Sequence, residues 1–443
     1  MSKSRKKGLK IGKYRITPLG IGVLLAILAA GVAAVVLSVT GDRTDLISQP
    51  KATPTAAPTA EIQATAVPTA KPTATPTSVP TATPEPEPRS ATVRVLGEIT
   101  MEMDLLKSVA TVNADTAEGY GFDFSPMFAE ISEVIGNADY TIADVESTMG
   151  NTLKASAEKN TYITPPTLLD ALSDAGVDML MMANDHVLDG GVEDLKATLA
   201  NIASAGMDYV GAGATSEEKA SPVVVDINGI KVGFAAYCEK MGKKMNDEAK
   251  ELVSMVSGGN AAADVQKLKE AGAEAVVILI NWGEMYSHTP NESQERIAQF
   301  LAEVGVDVII GFHPHAVQPA YWLENTAEDG TVTGRTLCIS APGSLLSNQT
   351  KAGTDCGAIF GFTLREQEDG SIAVESPEYI PTYTLRTQRE DGLYDYRAVI
   401  ISRYTAEGAE LAEGMTAENV EYMLKLQSAI QNVVGADAAM ISE

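Results

Sequence analysis

The stretch that decides the fold of this chain is "MLMMANDHVLDGG", residues 179–191. It opens with five apolar residues, and the polar residues Asn184, Asp185 and His186 follow at once. A short apolar run that stops at a polar turn predicts a buried strand ending at Ala183. Because the chain has only four histidines, one placed directly after such a strand suggests a metal ligand, an acid–base group or a hydrogen-bonded loop residue.

Outward from this strand, apolar strand-like runs alternate with helical patterns from about residue 91 onward. The pattern predicts a helix over Ser125–Gly136 with Ser125 as N-cap, and another that closes on Gly176. Asn228-Gly229 predicts a hairpin between "PVVVDI" and "KVGFAAY". A final amphipathic helix is predicted over "AENVEYMLKLQSAIQNVV". Alternation of this kind indicates an α/β fold, and the hairpin and β-rich tail indicate a mixed sheet or two sheets.

The N-terminal region differs from the rest in composition. Residues 1–16 carry seven Lys/Arg and no acid, and residues 20–39 contain no charge. A twenty-residue apolar helix spans about 30 Å, the thickness of a bilayer core, so we expect a transmembrane helix over 17–40, with a cleaved secretory signal as the alternative. The basic flank predicts a cytoplasmic N-terminus (1–16) and a single-pass cell-membrane protein whose main domain is extracellular.

A linker follows the apolar run. Residues 41–90 contain "AVPTAKPTATPTSVPTATPEPEP", in which Pro recurs about every four residues. Pro removes amide donors and favours extended polyproline II, so this segment is predicted to be disordered and without a packed core. The sequence therefore predicts a main domain over 91–390 and a C-terminal extension with the amphipathic helix over 391–443.

The charge balance limits the classes of partner. The net charge is −26, and about −33 once the seven N-terminal cations are set aside. A domain this acidic should repel nucleic acids and other polyanions unless a cation intervenes. No nucleic-acid partner is therefore expected. Cys238, Cys338 and Cys356 make no metal motif, and buried thiols are expected, with a Cys338–Cys356 disulfide as an alternative.

Polar side chains follow five of the predicted strands at the point where each ends. In α/β sheets ligands bind outside the carboxyl ends of the strands, and carboxylate, amide and imidazole groups suit Zn, Mn or Fe. We therefore expect a divalent metal site in a cleft at these ends. The candidate residues, in chain order, are Glu98, Asp144, Glu146, Asn184, Asp185, His186, Asn281, Trp282, His313 and His315.

The same segments resemble the capsule-synthesis CapA family (poly-γ-glutamate capsule biosynthesis), a branch of the calcineurin-like metallophosphoesterase fold, over about residues 92–350. The resemblance is carried by Asn184-Asp185-His186 with Asp189 and Gly191, by the Gly311–His315 motif Gly-x-His-Pro-His, and by a Trp-Gly pair between them. It implies a two-sheet sandwich flanked by helices, with a metal-type cleft at the strand ends.

Several positions depart from the family pattern. Glu98 replaces an Asp, Asp144 stands where an Asn is usual, and Asn281 replaces a His. A segment that is usually Ser-Leu-Gly-Asn-Phe reads Ala341 to Leu345. A two-metal site could thus be reduced to one metal or to none. The resemblance nevertheless implies that Glu98, Glu146, Asn184, Asn281, His313 and His315 form the metal set.

If the site is active, a metal-activated water would attack a phosphoester or an amide-type bond. His186 is then the candidate catalytic acid–base residue, and Asp144, Asp185 and Trp282 are candidate cleft residues, although Trp282 could equally belong to the core. His288 is expected to be exposed in a turn.

Three functions are compatible with these residues. The first is a membrane-anchored extracellular protein in the biosynthesis, export or attachment of a capsule or poly-γ-glutamate-type polymer. The second is a metal-dependent hydrolase of phosphoesters or cell-envelope polymers, and the third is a catalytically degenerate scaffold that binds polymer or partner proteins. The expected partners are an anionic surface polymer or its precursors, and membrane proteins of polymer synthesis.

Overall fold

The computed structural model describes residues 9–11, 14–16, 87–112, 120–150, 161–326 and 331–442. The predicted membrane segment (17–40) and nearly all of the predicted linker (41–90) lie outside these ranges. Among the described residues, no helix combines the length and the apolarity that crossing a bilayer requires. In the N-terminal unit, Leu9–Ile11 (β1) and Tyr14–Ile16 (β2) pair as antiparallel strands.

The remaining described strands belong to the second unit. They are β3 (Ser90–Val95), β4 (Glu98–Ile99), β5 (Ala110–Val112), β6 (Tyr120–Phe122), β7 (Tyr140–Asp144), β8 (Met179–Met181), β9 (Asp208–Val210), β10 (Val223–Ile227), β11 (Ile230–Cys238), β12 (Ala275–Asn281), β13 (Val308–Phe312), β14 (Ala320–Thr326), β15 (Val332–Ile339), β16 (Ser344–Leu346), β17 (Cys356–Glu366), β18 (Ile372–Gln388), β19 (Tyr394–Ile400) and β20 (Ala439–Met440).

The described helices are mostly short. They are α1 (Met103–Ser108), α2 (Ser125–Phe128), α3 (Ser132–Gly136), α4 (Thr167–Ala175), α5 (Val192–Ser204), α6 (Ser216–Ala220), α7 (Asp247–Leu252), α8 (Gly258–Glu270), α9 (Glu292–Glu303), α10 (Ile401–Thr405) and α11 (Ala417–Val434).

Two large mixed sheets form the body of the second unit. The first has the order β10-β11-β12-β13-β15-β14, and the second has the order β19-β18-β17-β3-β7-β8-β9, with β20 added beside β18. Strands β11, β12, β13 and β15 run parallel in the first sheet, as do β3, β7, β8 and β9 in the second. Each sheet therefore presents several carboxyl ends at one edge, as the strand–helix alternation predicted.

The two sheets pack face to face. Along β12, Val277 and Leu279 join a hydrophobic cluster that also contains Ile142 and Met181 of the other sheet. The alternate residues of β12 point the other way, into a cluster with α8 and α9. Successive side chains of a strand point to opposite faces, so a continuous apolar strand can serve both layers. The predicted two-sheet sandwich with flanking helices is the observed architecture.

Short sequence patterns predicted one hairpin turn and the ends of two helices correctly. Asn228 and Gly229 both adopt positive φ, as a type I′ turn between β10 and β11 requires. Gly176 closes α4 in the left-handed conformation. Thr416 caps α11 through a capping box, and this helix covers the predicted range.

The helix predicted over 125–136 is wrong in detail, because it is two short helices, α2 and α3. Ser125 is the first helical residue rather than the N-cap, which is Phe124. Between the helices, the carbonyl oxygen of Glu130 accepts a hydrogen bond from Arg403 at 2.6 Å, and Ser132 Oγ donates to Ala129 O at 3.0 Å. These bonds occupy carbonyls that a continuous helix would use in its own ladder.

Candidate metal site at the strand ends

The polar residues predicted from five strand ends are brought to one place by the two sheets. Glu98 follows β3, and Glu146 and Asp185 follow β7 and β8 in the same sheet. Asn281 ends β12, and the His313–His315 segment follows β13 in the opposite sheet. The site therefore lies where the carboxyl ends of parallel strands from both sheets meet, as expected for an α/β protein.

His315 lies between two buried glutamates. Its Nδ1 is 2.9 Å from Glu98 Oε2, and its Nε2 is 3.4 Å from Glu146 Oε2. The second oxygen of Glu98 accepts a hydrogen bond from the backbone amide of His313 at 2.6 Å. The glutamate that replaces the usual aspartate thus contacts the histidine loop directly with its carboxylate.

Asp185 links the two sheets at the other side of the cluster. Its Oδ1 lies 3.4 Å from His313 Nδ1 and also 3.4 Å from Nδ2 of Asn281, which donates to it. The thiol of Cys238 donates to Oδ1 of Asn281 at 3.5 Å. In this arrangement both polar atoms of the Asn281 amide form hydrogen bonds, so its role as a metal ligand stays a prediction.

Asn184 and His186 are held by a separate network. Nδ2 of Asn184 donates to Asp144 Oδ1 at 2.8 Å, and its Oδ1 accepts from the backbone amide of His186 at 3.1 Å. Nδ1 of His186 lies 2.8 Å from Asp189 Oδ2, and its ring packs 4.5 Å from that of Tyr162. The ring is therefore fixed with Nε2 on the side of Asp185, 3.8 Å from its carboxylate.

The electrostatics of the cluster follow from its burial. Loss of hydration, together with the neighbouring acids, raises the pKa of Asp144 and of Glu146 well above the usual range. Burial would raise the pKa of Asp185 as well, but His313 and the other histidines lower it to about 2. Burial opposes protonation of His313, yet Asp185 raises the pKa of that imidazole.

The residues fit a divalent cation. Glu98 Oε2, Asp144 Oδ2 and Glu146 Oε1 are buried carboxylate oxygens without a hydrogen-bond partner. His315 Nδ1 is near the first of them but is not aligned to donate. Ligand atoms of Glu146, Asp185 and His313 lie within 4.8 Å of one another. Buried carboxylate oxygens without donors are costly unless a cation accompanies them.

The histidine loop has an unusual backbone, and Gly311 precedes it at a closely packed position. His313 and His315 both adopt positive φ, 96° and 51° respectively, which turns both imidazoles toward the carboxylates. A Cβ on Gly311 would lie 2.0 Å from the carbonyl oxygen of Ser340 and 2.2 Å from the indole nitrogen of Trp282. Glycine is therefore required at this point.

Two expectations about side chains are corrected by the structure, and a third is confirmed. Trp282 does not line the cleft, because it is 1% exposed and its indole nitrogen donates to Ser340 O at 2.9 Å. His288 is half-buried rather than exposed, with Nδ1 3.0 Å from Val317 O. The expected buried thiols are confirmed, because all three cysteines of the described residues are free and buried, and the alternative Cys338–Cys356 disulfide is not formed there.

Some residues at the site were not identified from the sequence as functional. Tyr162, Tyr286 and Lys351 come together here only in the folded chain, and no local pattern marks them. Asp189, by contrast, could have been found, because it is the acidic residue of the Asn-Asp-His-x-x-Asp motif. Its side chain also accepts a hydrogen bond from the backbone amide of Tyr162 at 2.6 Å and pairs with Lys243 at 3.2 Å.

Two capsule proteins of Bacillus resemble the chain in sequence. A "Capsule biosynthesis protein CapA" of Bacillus anthracis is 27% identical over 241 residues, which are 52% of this chain and 56% of that protein. A "PGA biosynthesis protein CapA" of Bacillus subtilis (strain 168) is 25% identical over 340 residues, which are 75% of this chain and 83% of that protein. The chain thus spans little more than half of the first relative.

Solved structures resemble the chain more distantly. The NAD nucleotidase NadN of Haemophilus influenzae has 12% identity and a TM-score of 0.42, over 80% of this chain and 65% of that one. The calcineurin-like phosphoesterase YfkN of Bacillus subtilis has 15% identity and a TM-score of 0.40, over 77% of this chain and 98% of that one. Similarity at this level does not by itself establish an activity.

The family is established by sequence. The family model described as "Bacterial capsule synthesis protein PGA_cap" matches residues 92–332, more than half of the chain. This range includes every residue of the metal-type cluster. The chain therefore belongs to the bacterial capsule synthesis family PGA_cap.

Proposed function

We propose that this protein acts in the biosynthesis, export or attachment of a poly-γ-glutamate-type capsule polymer. Membership in the capsule synthesis family and the names of its Bacillus relatives support this role. The basic N-terminus and the uncharged run at 20–39 support a single-pass membrane anchor with the main domain outside the cell. Its partners would be the anionic polymer or its precursors, and membrane proteins that synthesise the polymer.

We further propose that the cleft is a metal-dependent, phosphoesterase-like hydrolytic site. The observation that carries this proposal is the buried cluster with three unpartnered carboxylate oxygens. Glu146, Asp185 and His313 would hold the ion, with Glu98 and His315 beside them. A bound Mn, Zn or Fe ion would lower the pKa of a water and neutralise charge on an anionic substrate.

The chain's own residues would supply proton transfer and orientation. The contact between His186 Nδ1 and Asp189 would hold the ring proton on Nδ1 and leave Nε2 as a base, which would take a proton from the attacking water and pass it to the leaving group. Asn184 would hold this histidine in place, because Oδ1 of Asn184 accepts a hydrogen bond from the backbone amide of His186. His186 is 14% exposed, so it remains accessible from the cleft.

A binding scaffold without chemistry is the alternative, and one observation favours it. His315 places one ring nitrogen near each of Glu98 and Glu146. A protonated imidazole there would neutralise part of the buried charge without any metal. Glu98 and Asn281 stand where the family pattern has Asp and His, and these two replacements also favour the scaffold.

Metal analysis of the full-length protein distinguishes the metal-dependent hydrolase from the binding scaffold. The protein would be loaded with Mn or Zn, desalted and measured for bound metal, with hydrolysis of a phosphodiester and of a γ-glutamyl amide assayed on the same samples. We expect one equivalent of metal, lost in His313→Ala and kept in His288→Ala, the half-buried histidine outside the cluster. Absence of metal from the wild-type protein would support the scaffold, and metal without hydrolysis would reject the enzymatic proposal.

A further inference from the structure

Lys351 is an exposed cation at the mouth of an acidic cluster. The chain has a net charge of −26, and in the described part of the chain most lysines whose Nζ forms a hydrogen bond or ion pair contact a carboxylate. Lys351 instead has its Nζ 3.6 Å from the ring centre of Tyr286. It forms no ion pair within the described part of the chain, and its side chain is exposed. An ammonium held against an aromatic face keeps its charge available to a second, anionic partner.

Tyr286 fixes this cation near the cluster. Its ring lies 6.1 Å from that of His315, and its backbone amide donates to Pro314 O at 2.6 Å. The two separations placed end to end limit the distance from Lys351 Nζ to the His315 ring to 9.7 Å. Tyr286 also has a φ of +71°, a conformation that a tyrosine adopts only when its surroundings impose it.

The backbone that carries Lys351 is itself fixed. The carbonyl oxygen of Lys351 accepts hydrogen bonds from the backbone amide and the hydroxyl of Thr354, at 3.2 Å and 2.8 Å. Gly353 packs so closely on His288 that a Cβ there would lie 3.0 Å from Nε2. The lysine is therefore presented from a structured turn, and a ligand would meet a preorganised charge.

A second segment that carries lysines is hydrogen-bonded to the Asp185 turn. The segment Glu239–Met245 reads "EKMGKKM", and Lys240, Lys243 and Lys244 in it are exposed. Its Gly242 amide donates to the carbonyl oxygen of Asp185 at 3.3 Å, and Lys243 pairs with Asp189. Two segments that carry lysines, about a hundred residues apart in sequence, thus approach the cluster.

We propose that Lys351, supported by the lysines of segment 239–245, is an anion-binding subsite that selects an extended polycarboxylate chain as the ligand of this cleft. This inference rests on the proposed function and deepens it. A polymer with a carboxylate on every unit can place one group at the cluster and another at Lys351 simultaneously, whereas a single phosphate can occupy only one of these positions. Lys351 and the lysines of segment 239–245 would also attract an anionic chain to a domain that is acidic as a whole.

Equilibrium binding of γ-linked glutamate oligomers to the full-length protein tests the proposal. The other probes are the same oligomer with amidated carboxyls and inorganic phosphate. We expect Lys351→Met to weaken oligomer binding about three- to tenfold, with a smaller dependence on salt, while Lys351→Arg retains binding. Lys425→Met, an exposed lysine on α11 paired with Glu421, is the matched control and should bind as the wild type does.

The outcomes separate this inference from the function on which it rests. Equal oligomer binding by Lys351→Met and wild type, or equal binding of the amidated and charged oligomers, would overturn the subsite while leaving the capsule role intact. Binding of phosphate without oligomer would replace the polycarboxylate by a small phosphate ligand. If the wild type binds none of the probes, the subsite is rejected, and the metal analysis decides the proposed chemistry separately. Unchanged thermal unfolding of Lys351→Met shows that the variant is folded.

Discussion

Gly311→Ala should destabilise the protein strongly although it adds only one methyl group. The new Cβ would lie 2.0 Å from Ser340 O and 2.2 Å from Trp282 Nε1, so it would break the indole hydrogen bond that joins those two residues. Neither neighbour can turn away, because one is backbone and the other is a tryptophan that is 1% exposed.

The magnitude follows from two contributions. Overpacking of a tightly filled core costs about 1–3 kcal/mol, and an unsatisfied buried donor and acceptor cost about 1–3 kcal/mol more. We therefore expect the free energy of unfolding to fall by about 2–6 kcal/mol, measured by urea or thermal unfolding followed by tryptophan fluorescence. Both tryptophans of the chain, Trp282 and Trp322, report on this transition.

Gly259→Ala is the control for this prediction. Gly259 lies in the first turn of α8, and a Cβ there would meet nothing within 4 Å. This substitution should leave stability unchanged or raise it by up to about 1 kcal/mol. If Gly311→Ala unfolds at the same temperature as the wild type and Gly259→Ala, then steric exclusion is not the reason for glycine in the Gly-x-His-Pro-His motif.

Three further predictions concern buried polar groups. Asp189→Asn, which weakens the contacts to His186 and Lys243, should lower the free energy of unfolding by about 1–3 kcal/mol, and thermal unfolding at the wild-type value would contradict this. Burial raises the pKa of Asp307 above its ordinary value of 3.8, so its contribution to stability is present below that value and is lost as pH rises through the folded-state pKa. The stability of the wild type relative to Asp307→Asn should therefore be greater at pH 4 than at pH 8, as urea unfolding at the two values would show. Burial raises the pKa of the Cys338 thiol to about 11, and all three cysteines are buried and free. A thiol reagent should label none of them in the folded protein and three per chain in urea, and rapid labelling of the native state would refute this.

Much of the fold could be predicted from local sequence because its signals are local. The hairpin depends on two residues that accept positive φ, Asn228 and Gly229, and α4 ends at Gly176 for the same reason. Alternation of apolar strands with helical periods indicated the α/β class before any contact was known. The break between α2 and α3 could not be predicted in this way, because it depends on Arg403, which is distant in sequence.

The candidate site was predictable in composition but not in geometry. Because carboxyl ends of parallel strands meet at one edge, Glu98, Glu146, Asp185 and His313 could be grouped from the strand pattern alone. Which of them could hold a cation, and which are occupied by hydrogen bonds, depends on the distances between their side-chain atoms in the folded chain. The side-chain amide of Asn281, for example, forms hydrogen bonds with Cys238 and Asp185 in the folded chain.

The sequence by itself determined the order of strands and helices, the family motifs and the residue types at the strand ends, because these depend on nearest neighbours along the chain. Only the tertiary structure decided that Trp282 is a core residue, that Cys338 and Cys356 stay separate, and that Lys351 reaches the cleft by way of Tyr286. Burial and contact between residues far apart in sequence arise from the packing of two sheets. No local pattern encodes which side chains that packing brings together.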